Sequence, residues 1–316
     1  MQLVLRAVVF EAEELARAKG EATGLSAWLG GAPARATLHV LRAARVGLLV
    51  QKPPSPEVEV VWEPCLTISS IRERFLCRYH EGEYEGARYC SAEATEPGGY
   101  CRAHAGSPRA LYERRAQGDE QACTHASELL EGEEFLVYLL DFGGHRPKVG
   151  LTQRWRLLHR VAEQPHTSAA VVARGGLREM RLLERELGRR ATEGAGLRVE
   201  RRLESTARAL ESAGFSALAS RAAWALSTLG LHGDYEAYTV LPKSAAPRVF
   251  LAEPAGLHSL AGLAACIRDY WAGRLLAVTE RGTLVVPKYE LLHRLLGVSR
   301  LAPGCAPRGA RPLPRL

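Results

Sequence analysis

A cluster of cysteine and histidine residues constrains the fold of this chain more than any other feature. Two Cys-x2-His pairs, Cys77-x2-His80 and Cys101-x2-His104, lie on either side of Cys90. Such a pair lets two side chains of a tight turn reach one ion, and two halves separated by ~10–20 residues build a tetrahedral zinc site. The spacing therefore predicts a metal site that supplies folding energy to a stretch with little helical or strand periodicity.

The cluster offers five candidate ligands for four coordination positions. We favour Cys77, Cys90, Cys101 and His104, with His80 as the reserve ligand, because three thiolates make a soft site that selects zinc. No open coordination position is implied, so the predicted role of the zinc is structural. The alternative is a set of buried cysteines beside unrelated histidines.

The other cysteines give weaker signals. Cys65 precedes the cluster, and the Cys123-x-His125 spacing rarely suits a tetrahedral site. Cys266 is predicted to be a small core residue on the apolar face of a helix. Clustered cysteines in a chain without a secretion signal indicate metal binding sooner than disulfides, so we expect a cytoplasmic protein.

The charge is unbalanced toward arginine. The formal net charge is +7, and only five of the 42 basic residues are lysines. The planar arginine side chain suits phosphates and base edges, so the composition favours a polyanionic partner, although codon usage is an alternative cause. No apolar run approaches the ~20 residues that a membrane-spanning helix needs.

The chain divides into five segments, and its predicted fold class is α+β. We predict a β-rich region at 1–64, a zinc-binding loop region at 65–130, a compact unit at 131–190, a helical and then α+β region at 191–301, and a flexible Pro/Arg-rich tail at 302–316. The β-leaning N- and C-terminal flanks can pack together as one sheet or barrel. The zinc-binding region and the compact unit would then be insertions.

The pattern within 131–190 predicts the order strand, strand, helix, strand, helix. The strands are placed at 135–142, 148–151 and 168–174, and the second helix at 177–190. Thr152 can cap the first helix, which ends before Pro165. Near the C-terminus we predict strands at 248–252, 274–279 and 283–286, and a helix near 257–270.

The two strands at 135–142 and 148–151 look like the paired strands of the GIY-YIG nuclease superfamily. Leu136-Val137-Tyr138 stands where that superfamily has Gly-Ile-Tyr, and Lys148-Val149-Gly150 stands where it has Tyr-Ile-Gly. The run from Lys148 to Leu187, together with the cysteine cluster, resembles more closely a prokaryotic family called domain of unknown function two-seven-nine-seven. Its members pair a cysteine-rich region with a similar segment and a downstream helix.

The resemblance implies phosphodiester hydrolysis. Tyr138 would deprotonate or position water, Arg160 would bind the phosphate, with Arg156 as second choice, and Glu184 would hold Mg²⁺ or Mn²⁺. Gly150 would be the close-packing glycine. Lys148 replaces the second signature tyrosine, and a lysine there could bind phosphate as a point charge.

The helix pattern at 177–190 gives an independent argument for Glu184. It lies on the apolar stripe of this helix, between Leu177 and Met180. An ionised carboxylate on an apolar face is costly unless it is paired or bound to metal. An ion pair with Arg160 or with Arg181 is the alternative.

Two arginines of the preceding helix suggest an anion. Arg156 and Arg160 are four residues apart and share a helix face, where two guanidinium groups repel each other unless an anion lies between them. The alternative is a solvated helix edge with Glu163 as the counter-charge.

These features together predict a nucleic-acid-binding protein with structural zinc. The partner would be DNA or structured RNA, including a ribonucleoprotein. A divalent-metal-dependent endonuclease and a non-enzymatic protein-interaction scaffold are the alternatives. The predicted nucleic-acid-binding residues are Lys148, Gly150, Arg154, Arg156, Arg160 and Arg181.

Overall fold

The computed structural model describes residues 1–22, 33–84, 86–115, 119–143, 147–191 and 199–304. Within these ranges the protein is a mixed α/β structure with one large, mostly antiparallel sheet of twelve strands and seven helices. Along the sheet the strands follow the order 282–287, 274–279, 264–271, 64–75, 294–303, 2–21, 34–51, 233–241, 168–175, 135–141 and 148–153, and the strand at 58–62 pairs with 34–51 off this path.

The N-terminal region is β-rich, as predicted. Its strands are β1 (Gln2–Glu21), β2 (Ala34–Gln51), β3 (Val58–Trp62) and β4 (Pro64–Phe75). The first half of β1 and the second half of β2 are mostly buried, which fits the β-branched and leucine residues in these parts of the sequence. β1 and β2 pair antiparallel over nearly their whole lengths.

The segment predicted to be loop-like, 65–130, contains more regular structure than its composition suggested. β4 extends to Phe75, and the short strands β5 (His80–Glu81) and β6 (Arg88–Tyr89) form a small hairpin. Two helices follow, α1 (Pro108–Arg115) and α2 (Glu120–Leu129). Asp119 caps α2 by accepting a hydrogen bond from the Ala122 amide, at 2.9 Å.

The next segment has the predicted order of strand, strand, helix, strand, helix. The elements are β7 (Phe135–Asp141), β8 (Lys148–Gln153), α3 (Leu157–Ala162), β9 (Ser168–Gly175) and α4 (Leu177–Ala191). β7 is buried along its full length because β8 and β9 flank it and helices cover it. β9 also pairs with β10, so this unit is one end of the large sheet.

Strands of the C-terminal part pair with strands of the N-terminal region. β1 pairs with β14, and β4 pairs with both β11 and β14, so the two flanks form one sheet as predicted. The elements of this part are α5 (Val199–Ser212), α6 (Phe215–Thr228), β10 (Gly233–Leu241), β11 (Ala264–Trp271), β12 (Arg274–Thr279), β13 (Gly282–Pro287), α7 (Lys288–Leu291) and β14 (Arg294–Pro303).

Two predictions for this part are wrong, and the described residues cover only the start of a third. Residues 248–252 are not a strand, since Pro247–Leu251 form a 3-10 turn. The helix predicted near 257–270 is a 3-10 turn, Leu257–Leu260, followed by β11, because that apolar segment pairs with β4 and β12. The predicted tail at 302–316 begins inside β14, and residues 305–316 lie outside the described ranges.

The change from helix to strand also corrects the role of Cys266. Cys65 and Cys266 lie directly opposite each other on the antiparallel strands β4 and β11, and they form a disulfide. Their sequence separation of 201 kept this pairing from being predicted. The disulfide joins the two flanks of the chain within the sheet.

Candidate functional site

Four of the predicted ligands lie together. Cys77, Cys90, Cys101 and His104 each offer one metal-ligand atom, and these four atoms all lie within 4.8 Å of one another. The Cys90 and Cys101 sulfurs are 3.9 Å apart, and His104 Nδ1 is 3.7 Å from Cys77 Sγ. Ligands about 2.0–2.3 Å from a tetrahedral zinc lie about 3.5–3.8 Å from each other. The group could therefore bind a metal ion such as zinc.

The surroundings of this group support metal binding. The Cys101 amide donates to Cys77 Sγ at 3.2 Å, and the Ala92 amide donates to Cys90 Sγ at 3.4 Å. Such hydrogen bonds stabilise thiolates. The His104 ring stacks on Tyr79, with ring centroids 3.9 Å apart, which fixes the ring orientation.

His80, the reserve ligand, is not part of this group. Its Nδ1 donates to the Gly82 carbonyl at 2.8 Å, and its Nε2 accepts from Arg109. Burial, and then the nearby Arg109 charge, lower the pKa of His80 to about 3, so its imidazole is neutral at pH 7.

Arg6, which no sequence motif indicates, connects the sheet to the segment 77–104, which carries the four cysteine and histidine side chains and is called the metal-binding segment below. It lies on β1, is 2% exposed, and donates to the Cys77 carbonyl at 2.9 Å and the Cys90 carbonyl at 2.7 Å. Its Nε donates to Gln51 at 2.7 Å. A lone arginine within the apolar run of β1 was the only signal for it.

A cavity of about 760 Å³ adjoins Arg6. Its walls come from the metal-binding segment with α1, from β8 and α3, and from α7. The charged side chains that line it are Arg6, Arg78, Arg109, Arg156, Arg160, Lys288, Glu113 and Glu163. Cations thus outnumber carboxylates by six to two, and the two lining histidines, His80 and His293, have lowered pKa values because they are buried.

Each carboxylate of the cavity is shared by two cations. Glu113 lies 3.8 Å from Arg78 and 3.7 Å from Arg109. Glu163 is paired with Arg160 at 2.5 Å and with Lys288. Burial opposes the ionisation of Glu163, but Lys288 and Arg160 outweigh it and lower the pKa of this carboxyl to about 2. Both carboxylates are therefore already engaged.

Arg156 has a different environment. It makes no ion pair or hydrogen bond with the described residues, and its Nε is buried without a partner. Its guanidinium lies 5.7 Å from the Trp155 ring centroid, and Tyr84 is near. The charge of Glu163 attracts Arg156, but this carboxylate already pairs with Arg160 and Lys288, so the position of Arg156 is suited to an external anion.

The predicted catalytic residues do not share one cavity. Tyr138 is 1% exposed, and its hydroxyl accepts from Gln164 at 3.3 Å, next to Arg160. Burial raises the pKa of Tyr138. Of the three predicted catalytic residues, Tyr138, Arg160 and Glu184, only Arg160 lines the cavity.

Glu184 lies on the buried side of α4, as the helix pattern indicated, and pairs with Arg181 at 2.7 Å. Among the described residues, only the group around Cys77 brings three or more donor side chains close enough to share an ion. The structure thus gives no support to Mg²⁺ or Mn²⁺ at Glu184.

The other predicted nucleic-acid-binding residues have separate environments. Arg154 is exposed, pairs with Glu134 at 2.7 Å and lines a second cavity that also includes Trp155 and Tyr238. Lys148 is exposed and donates to Gln164 at 2.8 Å. Gly150 is buried against the Tyr138 ring and supports strand pairing.

Comparisons of the chain with protein-family models, with curated proteins and with solved structures found no match. None of the described helices is long and apolar enough to cross a membrane. What can be said of function therefore depends on the metal-binding group and on the cation-lined cavity.

Proposed function

We propose that this protein binds nucleic acid through the cation-lined cavity and that the metal-binding group holds one wall of that cavity in place. The observation that carries the proposal is Arg156, whose Nε is buried in a cation-rich wall without a partner. Arginine side chains that converge on one space bind phosphate through paired, charge-assisted hydrogen bonds.

The arrangement of the cations supports a phosphate ligand. Arg156 and Arg160 lie four residues apart on one continuous helical segment and line the same cavity. Arg160 already pairs with Glu163, so an anion in the cavity would pair more readily with Arg156 than with Arg160. Two donors on adjacent turns suit the several oxygens of one phosphate.

Aromatic rings next to the cations support a nucleotide. Tyr84 lines the cavity and contacts His159 edge to face at 4.6 Å between ring centroids. Tyr289 also lines the cavity and is 70% exposed. Exposed aromatic rings beside a basic surface provide stacking platforms for bases.

Binding without hydrolysis fits this geometry better than a nuclease does. The Glu184 carboxylate is engaged by Arg181, and Tyr138 is sealed beneath the sheet surface. A protein-interaction scaffold would not need a wall with four more cations than carboxylates.

A binding assay with a matched charge control tests the proposal. Fluorescence anisotropy would compare single- and double-stranded DNA and RNA on the wild-type chain, Arg156→Gln and Arg208→Gln. Arg208 is an exposed arginine of α5 that pairs with Glu204 and does not line the cavity. We expect Arg156→Gln to weaken binding about tenfold or more and Arg208→Gln to leave it within about twofold.

A cleavage assay separates binding from chemistry. The same nucleic acids are incubated with Mg²⁺ or Mn²⁺ and with wild-type protein or Glu184→Gln. Tight binding without cleavage by either protein supports the proposal. Cleavage that disappears in Glu184→Gln would instead establish the endonuclease.

A further inference from the structure

We infer that the cavity recognises a terminal phosphate, that is, a phosphate monoester on a nucleoside, in preference to the internal phosphodiesters of a strand. This inference rests on the proposed function and narrows the ligand of the same cavity. Three features of the described residues carry it: the depth of the cations, the shape of the cavity and the surplus of charge.

The cations and the exposed aromatic ring lie at different depths. Arg6 is 2% exposed and the Nε atoms of Arg109 and Arg156 are buried, so part of the positive charge of the cavity lies below the protein surface. Tyr289, beside Lys288 on α7, is 70% exposed and marks the rim. A nucleotide that satisfies both enters phosphate first and keeps its base near Tyr289.

The shape of the cavity suits one strand end. Its volume of about 760 Å³ is in the range of sites for single small ligands. Arg109, Tyr112 and Arg156 line this cavity and also a smaller adjoining one of about 260 Å³. An internal phosphodiester carries chain on both sides and needs room for two strand segments, whereas a terminal phosphate needs room for one.

The surplus of charge matches a monoester better than a diester. The hydrogen-bond donors of Arg6 are used by Gln51 and by the Cys77 and Cys90 carbonyls, so Arg6 supplies charge without a carboxylate to balance it. Arg156 adds a second positive charge, with its Nε buried and not hydrogen-bonded, and the one nearby carboxylate, Glu163, already pairs with Arg160 and Lys288. A phosphate monoester carries about −1.5 to −2 at pH 7, whereas a diester carries one negative charge. Six cations and two carboxylates line the cavity, so a monoester offsets more of this positive surplus than a diester does.

The ligand chemistry has two sources, a strand end and a free nucleotide, and the experiment distinguishes them. Anisotropy would use one eight-nucleotide single strand, as DNA and as RNA, with an internal dye and with a 5′-phosphate, a 3′-phosphate or hydroxyl ends. The ligated circle of the same sequence has no end. A mononucleotide and inorganic phosphate serve as competitors, and the metal-loaded full chain is used throughout.

We expect a phosphorylated end to bind about tenfold tighter than hydroxyl ends or the circle, which corresponds to about 1.4 kcal/mol. Arg156→Gln should remove this preference, and Arg208→Gln should keep it. Tyr289→Ala, a change at an exposed side chain that leaves the fold intact, should weaken the phosphorylated strand about five- to tenfold through lost stacking.

The outcomes separate the inference from the proposed function. Equal binding of the circle and the phosphorylated strand, with the same loss in Arg156→Gln, overturns terminal recognition but leaves nucleic-acid binding in place. Tight binding of the mononucleotide without binding of any strand supports the terminal phosphate and overturns the strand as its source. No binding of any of these probes overturns both.

Discussion

Arg156 and Arg160 lie four residues apart and line the same cavity, yet only Arg160 has a carboxylate partner. Glu163 forms ion pairs with both Arg160 and Lys288. Its lowered pKa means that this carboxyl is ionised at neutral pH. Arg156 is left for a ligand. This asymmetry is the basis of our proposal that the cavity binds an anion.

The metal-binding group predicts one zinc per chain. Cys77→Ser should release the zinc and destabilise the protein by several kcal/mol, because structural zinc contributes folding energy directly. Cys123→Ala, which changes a buried cysteine outside the group, should keep the zinc. Metal content by mass spectrometry and thermal unfolding by circular dichroism measure both. Full zinc occupancy in Cys77→Ser would contradict the assignment.

The close approach of Gly150 to Tyr138 predicts a large effect of one methyl group. A Cβ at Gly150 would lie 2.5 Å from Tyr138 Cζ, in a buried antiparallel pair. Gly150→Ala should therefore lower the free energy of unfolding by about 1–3 kcal/mol. Gly188→Ala on α4 has open space around the added Cβ and should raise it by up to about 1 kcal/mol. Urea unfolding of the two variants tests the opposite signs.

Buried neutral histidines predict a loss of stability in acid. His166 accepts from the Val240 amide at 3.0 Å, donates to the Gln164 carbonyl at 2.8 Å, and has a pKa lowered to about 4 by burial. The unfolded chain takes up this proton near pH 6.5, whereas the folded chain does so only near pH 4. Stability is therefore complete above about pH 6.5 and falls as the pH drops toward 4.

Urea unfolding at several pH values checks this dependence. His166→Gln should reduce the slope between pH 6 and pH 4.5 by about 1.4 kcal/mol per pH unit. His159, whose pKa burial also lowers to about 4, contributes with the same sign and leaves a residual slope. An unchanged slope in His166→Gln would mean that His166 is not buried and neutral.

Local signals in the sequence predicted the clustering of four cysteine and histidine side chains and the order of elements in the central unit. Cys77, Cys90, Cys101 and His104 were found from spacing alone, because the ligands lie on tight turns close in sequence. The strands β7, β8 and β9 were found because they are short apolar runs between clear turn residues. The paired arginines at 156 and 160 were visible from helical spacing.

Long-range relationships could not be read from the sequence. Arg6 and Lys288 reach one cavity only because β1 and β14 pair across the sheet. β11 was mistaken for a helix because a short apolar run fits either structure until its partners are known. The disulfide between Cys65 and Cys266 likewise depends on the pairing of β4 with β11.

The salt dependence of nucleic-acid binding tests the central claim most directly. Each phosphate contact contributes a slope of about −0.7 to log K against log salt for a single strand. The wild-type chain should bind a phosphorylated single strand with a clear salt slope. Arg156→Gln should weaken binding and reduce that slope by about one contact, whereas Arg208→Gln should change neither. Identical affinity and identical slope for the wild-type chain and Arg156→Gln would contradict the account.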